Sequence, residues 1–188
     1  MKSNGIATVK KTAVFSIALC AVFTALTCVF TMFVQIPVLP AMGGIVHFGN
    51  VPLFIAAAFF GKKIGAAAGG IGMALSDLLT PWAAWAPVSL VTVGIMGFVF
   101  GLIVNRRPTP AILLLATLAV LALKIIGYYL GEVILYGSLT APLASVPGNI
   151  TQIAVGAAIS IPIITALKKA FPGIAAGKTG GIKVCTKL

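Results

Sequence analysis

Six apolar runs, separated on alternate connections by short basic clusters, leave few folds open to this chain. The runs cover about 12–35, 44–61, 64–79, 88–104, 110–136 and 150–167. A helix needs ~20 apolar residues to cross a hydrocarbon core of ~30 Å, and most of these runs come close to that length. The chain is 60% hydrophobic and 8% charged, whereas a soluble domain carries roughly 25% charged residues. So little polar material does not cover a globule in water. The expectation is an all-α integral membrane protein, one domain of six transmembrane helices.

The second run is the exception. Val51 to Gly61 is too short to cross alone, and Pro37, Pro40, Gly43 and Gly44 break any helix before it. It crosses only if the turn from Gly44 through His47 and Asn50 joins the helix, or if neighbours shelter it.

Charge sets the orientation. Lys2, Lys10 and Lys11, then Lys62 and Lys63, then Arg106 and Arg107, then Lys168, Lys169, Lys178, Lys183 and Lys187 all fall on one face of a six-span plan. By the positive-inside rule that face is cytoplasmic, as are both termini and the tail 168–188. The net charge of +11 is thereby explained by topology. A nucleic-acid partner is not expected, because no basic surface laced with aromatics is available. The first run is longer than a signal-peptide core and reads as a retained helix. Cys20, Cys28 and Cys185 have no metal-ligand spacing and imply no disulfide framework.

One cation breaks the pattern. Lys124 sits deep in the fifth run, in KIIGYYLGEVILY. At helical spacing Lys124, Tyr128, Glu132 and Tyr136 line one face, with Lys124 and Glu132 roughly 12 Å apart along the axis. Glu132 is one of two acids in the chain. Ionisable groups inside a bilayer are costly and face an interior or a cavity, so this face is the first functional candidate. Asn149 and Gln152, near one turn apart at the outer start of the sixth helix, and Trp85 in the turn PWAAWAP complete a small-molecule pocket of few polar groups in an apolar wall. The bland alternative is that Lys124 and Glu132 only hold the bundle together. His47 and Asp77 are open to three readings: ligands, a proton relay, or satisfied structural groups. One His and one acid make a thin metal site, and no metal or cofactor is expected.

Other motifs carry nothing. Pro172 stands where a P-loop needs its first glycine before Gly177-Lys178-Thr179, and Asn149-Ile-Thr151 matches a glycosylation sequon at a helix start. No nucleophile elbow or HExxH is present, so no catalysis is expected. Small residues four apart (Gly61, Gly65 and Gly69; Gly97 and Gly101; Gly127 and Gly131; Ala21 and Ala25) permit close helix packing in lipid.

HFGNVPLFIAAAFFGKKIGAAAGGIGMALSDLL, residues 47–79, followed by WAPVSLVTVGIMGFVFGLI, residues 85–103, resembles the substrate-binding S-components of energy-coupling-factor (ECF) vitamin transporters. The resemblance covers most of 12–168. It implies capture of a vitamin from outside under a lid formed by the first outer loop, 36–50. It also implies partnership with a membrane-embedded T subunit and two cytoplasmic ATPases, in a prokaryotic plasma membrane. Docking of the T subunit maps onto Ala21 and Ala25. Ligand contacts map onto Trp85, Tyr128, Glu132, Asn149, Gln152 and the first loop with His47, and Lys124 is the pocket's floor. One departure is Val93, where members with this stretch often carry a lysine. The few polar groups between aromatics favour a one-ring ligand, pyridoxine or hydroxymethylpyrimidine. The alternatives are a riboflavin-binding S-component, a stand-alone small-solute carrier or channel, and a structural membrane subunit.

Overall fold

The shortest helix lies at the centre. In the computed structural model, which describes residues 3–39, 44–104 and 108–171, α1 (Ser3–Phe33) leads into a hairpin of β1 (Gln35–Leu39) and β2 (Gly44–His47). There follow α2 (Asn50–Phe60), α3 (Lys62–Leu78), a 3-10 turn at Ala83–Trp85 and α4 (Ala86–Val104). The described residues close with α5 (Pro110–Tyr136), a second 3-10 turn at Ala141–Ser145 and α6 (Val146–Ala170). Lys2, Pro40, Gly43, Arg106, Arg107, Cys185 and the tail beyond Phe171 lie outside the described residues.

The expected second span, 44–61, is corrected. Gly44–His47 is a strand, antiparallel to β1 with Gln35 opposite His47 and Ile36 opposite Val46. Ile45 and Val46 are β-branched and favour an extended backbone, and pairing with β1 satisfies main-chain groups that a turn would leave open. The fold is therefore nearly, but not wholly, helical. Helix α2 is left with 11 residues, too short to cross alone, and its neighbours shelter it. It packs on α1, α3, α4 and α6, and Leu53, Phe54, Ala56, Ala57 and Ala58 are fully buried. Phe54 stacks on Phe100 of α4 with ring centroids 4.5 Å apart.

Among the described residues, four segments are long and apolar enough to cross a membrane: Val14–Phe33, Ala83–Val104, Pro110–Tyr136 and Ala141–Ala170. Their outer faces are apolar and exposed, as lipid requires, with Ile17, Val91, Leu115 and Ile134 among them.

The glycine ladders serve packing within the chain. A Cβ on Gly65 would lie 2.8 Å from the Gly97 carbonyl oxygen, and one on Gly69 would lie 2.8 Å from that of Val93. α3 and α4 therefore touch backbone to backbone. Val93 is fully buried in this contact. Gly127 against Thr92 and Gly131 against Val88 bring α5 onto α4 in the same way. Ala21 and Ala25 differ, because both are exposed on α1.

Gly61 alone joins α2 to α3, with φ 92° and ψ 177°. Only glycine occupies that region without strain. Nothing lies within 4 Å of an added Cβ there, so substitution acts through the backbone alone. Gly61→Ala is expected to cost about 1–3 kcal/mol, read as a melting temperature several degrees lower in detergent. An unchanged melt would show that the connection relaxes freely.

Candidate substrate site

Polar groups converge where α2 begins, beneath the hairpin and between α3, α4, α5 and α6. Lys124, on the inward face of α5, is 1% exposed. Its ammonium donates to Gln152 Oε1 of α6 at 2.7 Å and lies 5.1 Å from the centre of the Tyr128 ring. An ammonium only donates, so the Gln152 amide must present its oxygen to Lys124. Asn50, the first residue of α2 and fully buried, donates through Nδ2 to the Gln152 main-chain oxygen at 3.4 Å. That weak bond completes a link from α5 through α6 to α2. Gly156 makes room for it, since a Cβ there would sit 2.9 Å from Asn50 Cβ.

The acid that answers Lys124 is Asp77. It lies at the end of α3, is 9% exposed, and acts electrostatically on the Lys124 ammonium. Ser89 of α4 hydrogen-bonds Asp77, and Ser89 Oγ is 2.9 Å from Tyr128 Oη. An ionised carboxylate only accepts. Ser89 then donates to Asp77, and Tyr128 donates to Ser89. Three helices thus meet in one relay of hydrogen bonds.

Beyond this centre α5 continues toward its C-terminal end. Trp85 packs against Tyr128 and Tyr136, with centroids 6.1 Å and 5.9 Å away. Glu132 is buried near Tyr128, in the layer outside Lys124. Asn149 is buried in the first turn of α6. His47, at the end of β2, is partly exposed while its Nδ1 is buried. Burial, and after it the Lys124 charge, holds its imidazole down at about 3, so it is neutral at any physiological pH.

The expected site residues therefore form two layers. Lys124, Gln152, Tyr128 and His47 gather in the inner one; Trp85, Glu132 and Tyr136 lie outward of it. Sequence reasoning left Asp77, Asn50 and Ser89 out of the candidate site. Asp77 carried the same signal as Glu132, an acid on an apolar helix. Asn50 was marked only as part of a turn, and Ser89 carried no signal.

A family model described as the ECF-type riboflavin transporter, S component, matches residues 11–169. The chain belongs to this family. As an S-component it is a multi-pass membrane protein and a substrate-binding transporter subunit, in a family of non-enzymatic subunits. It is also similar to an uncharacterized protein in the gap 3' region of Pyrococcus woesei, 34% identical over 109 residues. That match covers 58% of this chain and 72% of the relative.

Proposed function

We propose that this S-component captures a small hydroxylated heteroaromatic vitamin or precursor, pyridoxine or hydroxymethylpyrimidine, for an ATP-driven importer of a prokaryotic plasma membrane. The observation that carries this reading is Lys124: an ammonium held 1% exposed inside an apolar bundle, tied to an amide at 2.7 Å and faced by an aromatic ring. A purely structural bundle has no use for a desolvated cation that aliphatic packing would replace at no loss. A one-ring ligand suits a centre of so few polar side chains.

In this reading the chain crosses the membrane six times with both termini cytoplasmic. The first loop, 36–50, is the lid, and Trp85, Tyr128, Glu132, Asn149, Gln152, Lys124 and His47 surround the ligand. The exposed Ala21 and Ala25 of α1 receive the T subunit, and two cytoplasmic ATPases drive the cycle. Riboflavin is the second reading, favoured by the family's description.

Thermal melts of the purified chain with pyridoxine, hydroxymethylpyrimidine and riboflavin decide among these. A saturating ligand at 100 times its Kd raises stability by ~2.7 kcal/mol, several degrees in the melt. Stabilisation by none of the three would sink the proposal.

A further inference from the structure

Among the described residues, five buried side-chain atoms have no hydrogen-bond partner in the protein: Thr27 Oγ1, His47 Nδ1, Asn50 Oδ1, Asp77 Oδ2 and Ser160 Oγ. Two of these are helical hydroxyls, which reach the carbonyl one turn back by rotating about one bond. The other three have no such relief, and all three belong to the centre around Lys124.

The polarity of the Asn50 and Asp77 atoms is fixed by their neighbours. The partner of Asn50 Nδ2 is a backbone carbonyl, which only accepts, so the amide is not free to flip and Oδ1 stays the open atom. Ser89 serves Asp77, while the second carboxylate oxygen remains unmatched. Lys124 brings three ammonium protons to the centre, one of them spent on Gln152. The inner layer thus offers acceptors from α2 and α3 together with donors from α5. Folded proteins satisfy nearly all buried polar groups, and two unmatched acceptors on adjoining helices define what a ligand there must supply.

We propose that Asp77 and Asn50 are the specificity-determining residues of this pocket, and that they select a heteroaromatic ring bearing an amino group, of the aminopyrimidine type. The ligand's N–H edge donates to Asp77 Oδ2 and Asn50 Oδ1, and an acceptor atom elsewhere on the ring accepts a hydrogen bond from Lys124. A ring whose corresponding edge is a carbonyl meets the carboxylate acceptor to acceptor. This inference rests on the substrate-capture reading and narrows it. It chooses hydroxymethylpyrimidine over pyridoxine and riboflavin, and assigns the choice to residues of α2 and α3.

The test uses the full-length chain in detergent, with 4-amino-5-hydroxymethyl-2-methylpyrimidine, its 4-oxo counterpart, pyridoxine and riboflavin as probes. The wild type is expected to bind the amino compound and to discriminate against the 4-oxo compound. Asp77→Asn is expected to weaken the amino compound about ten- to hundredfold, the worth of a charged hydrogen bond. Without ligand the variant should melt close to the wild type, because Lys124 keeps Gln152 and the Tyr128 ring. Tight binding of riboflavin or pyridoxine with no binding of the amino compound would overturn the inference and leave the transporter reading standing. So would equal affinities of wild type and Asp77→Asn, or a ligand-free Asp77→Asn that melts far below the wild type, which would make Asp77 a structural group. Binding of no probe at all would overturn both readings.

Discussion

Lys124→Met is expected to lower stability by ~3–5 kcal/mol and to abolish ligand-induced stabilisation. The two effects have separate causes. Methionine fills most of the volume of the lysine stem, so the loss does not come from a cavity. It comes from Asp77, whose carboxylate would keep Ser89 but lose the cation that acts on it. Removing one partner of a buried charge pair leaves the other's desolvation uncompensated. The pair is asymmetric: Lys124 has Gln152 and the Tyr128 ring besides Asp77, so losing the acid costs less than losing the base. The double variant Lys124→Met with Asp77→Asn should therefore recover much of the lost stability, while ligand binding stays absent. Melting curves of the two single variants and the double variant form the cycle that measures this. A Lys124→Met protein that melts like the wild type, or a double variant no better than the single, would show that the two charges do not answer each other.

The sequence made Lys124 legible for a simple reason: a lone cation in a membrane-length apolar run has no surface to explain it. The same logic flagged Glu132, because i, i+4 spacing on one helix is readable without coordinates. What it did not reach is which acid acts on the lysine. Asp77 lies 47 positions before Lys124, and its approach depends on how closely α3 seats on α4. That distance is set by Gly65 and Gly69 against the backbone of Gly97 and Val93. Spacing rules see one helix at a time, so contacts that pass through a glycine-lined seam stay hidden. The β-hairpin was missed for a related reason. Pro37, Gly43 and Gly44 announce an interrupted helix, but strand pairing is a property of two segments and their register. The second apolar run was read as needing a longer helix or shelter by its neighbours, and its burial on four sides is the shelter.

Phe54→Ala is expected to cost ~3–5 kcal/mol, among the largest losses for any apolar truncation among the described residues. Phe54 is fully buried and stacked on Phe100 at 17° between ring planes. Between membrane helices the stabilisation comes from close packing more than from removal of surface from water, so an emptied ring site forfeits contacts that lipid does not restore. Exposed Ile134, 82% open on α5, provides the contrast: its truncation to alanine trades contact with lipid for contact with lipid and should leave the melt nearly unchanged. The consequence for function follows from the geometry of α2. Asn50 lies one turn before Phe54 on the same helix, and Gly156 of α6 packs against both. A helix settling into the space left by Phe54 carries Asn50 away from the Gln152 carbonyl, 3.4 Å distant and already at the limit of a hydrogen bond. Phe54→Ala should therefore weaken ligand binding as well as stability, while Phe54→Leu, which refills most of the space, should recover both in parallel. Ligand affinity measured on both variants checks the coupling: full affinity in a destabilised Phe54→Ala protein would mean that the site does not depend on where α2 sits.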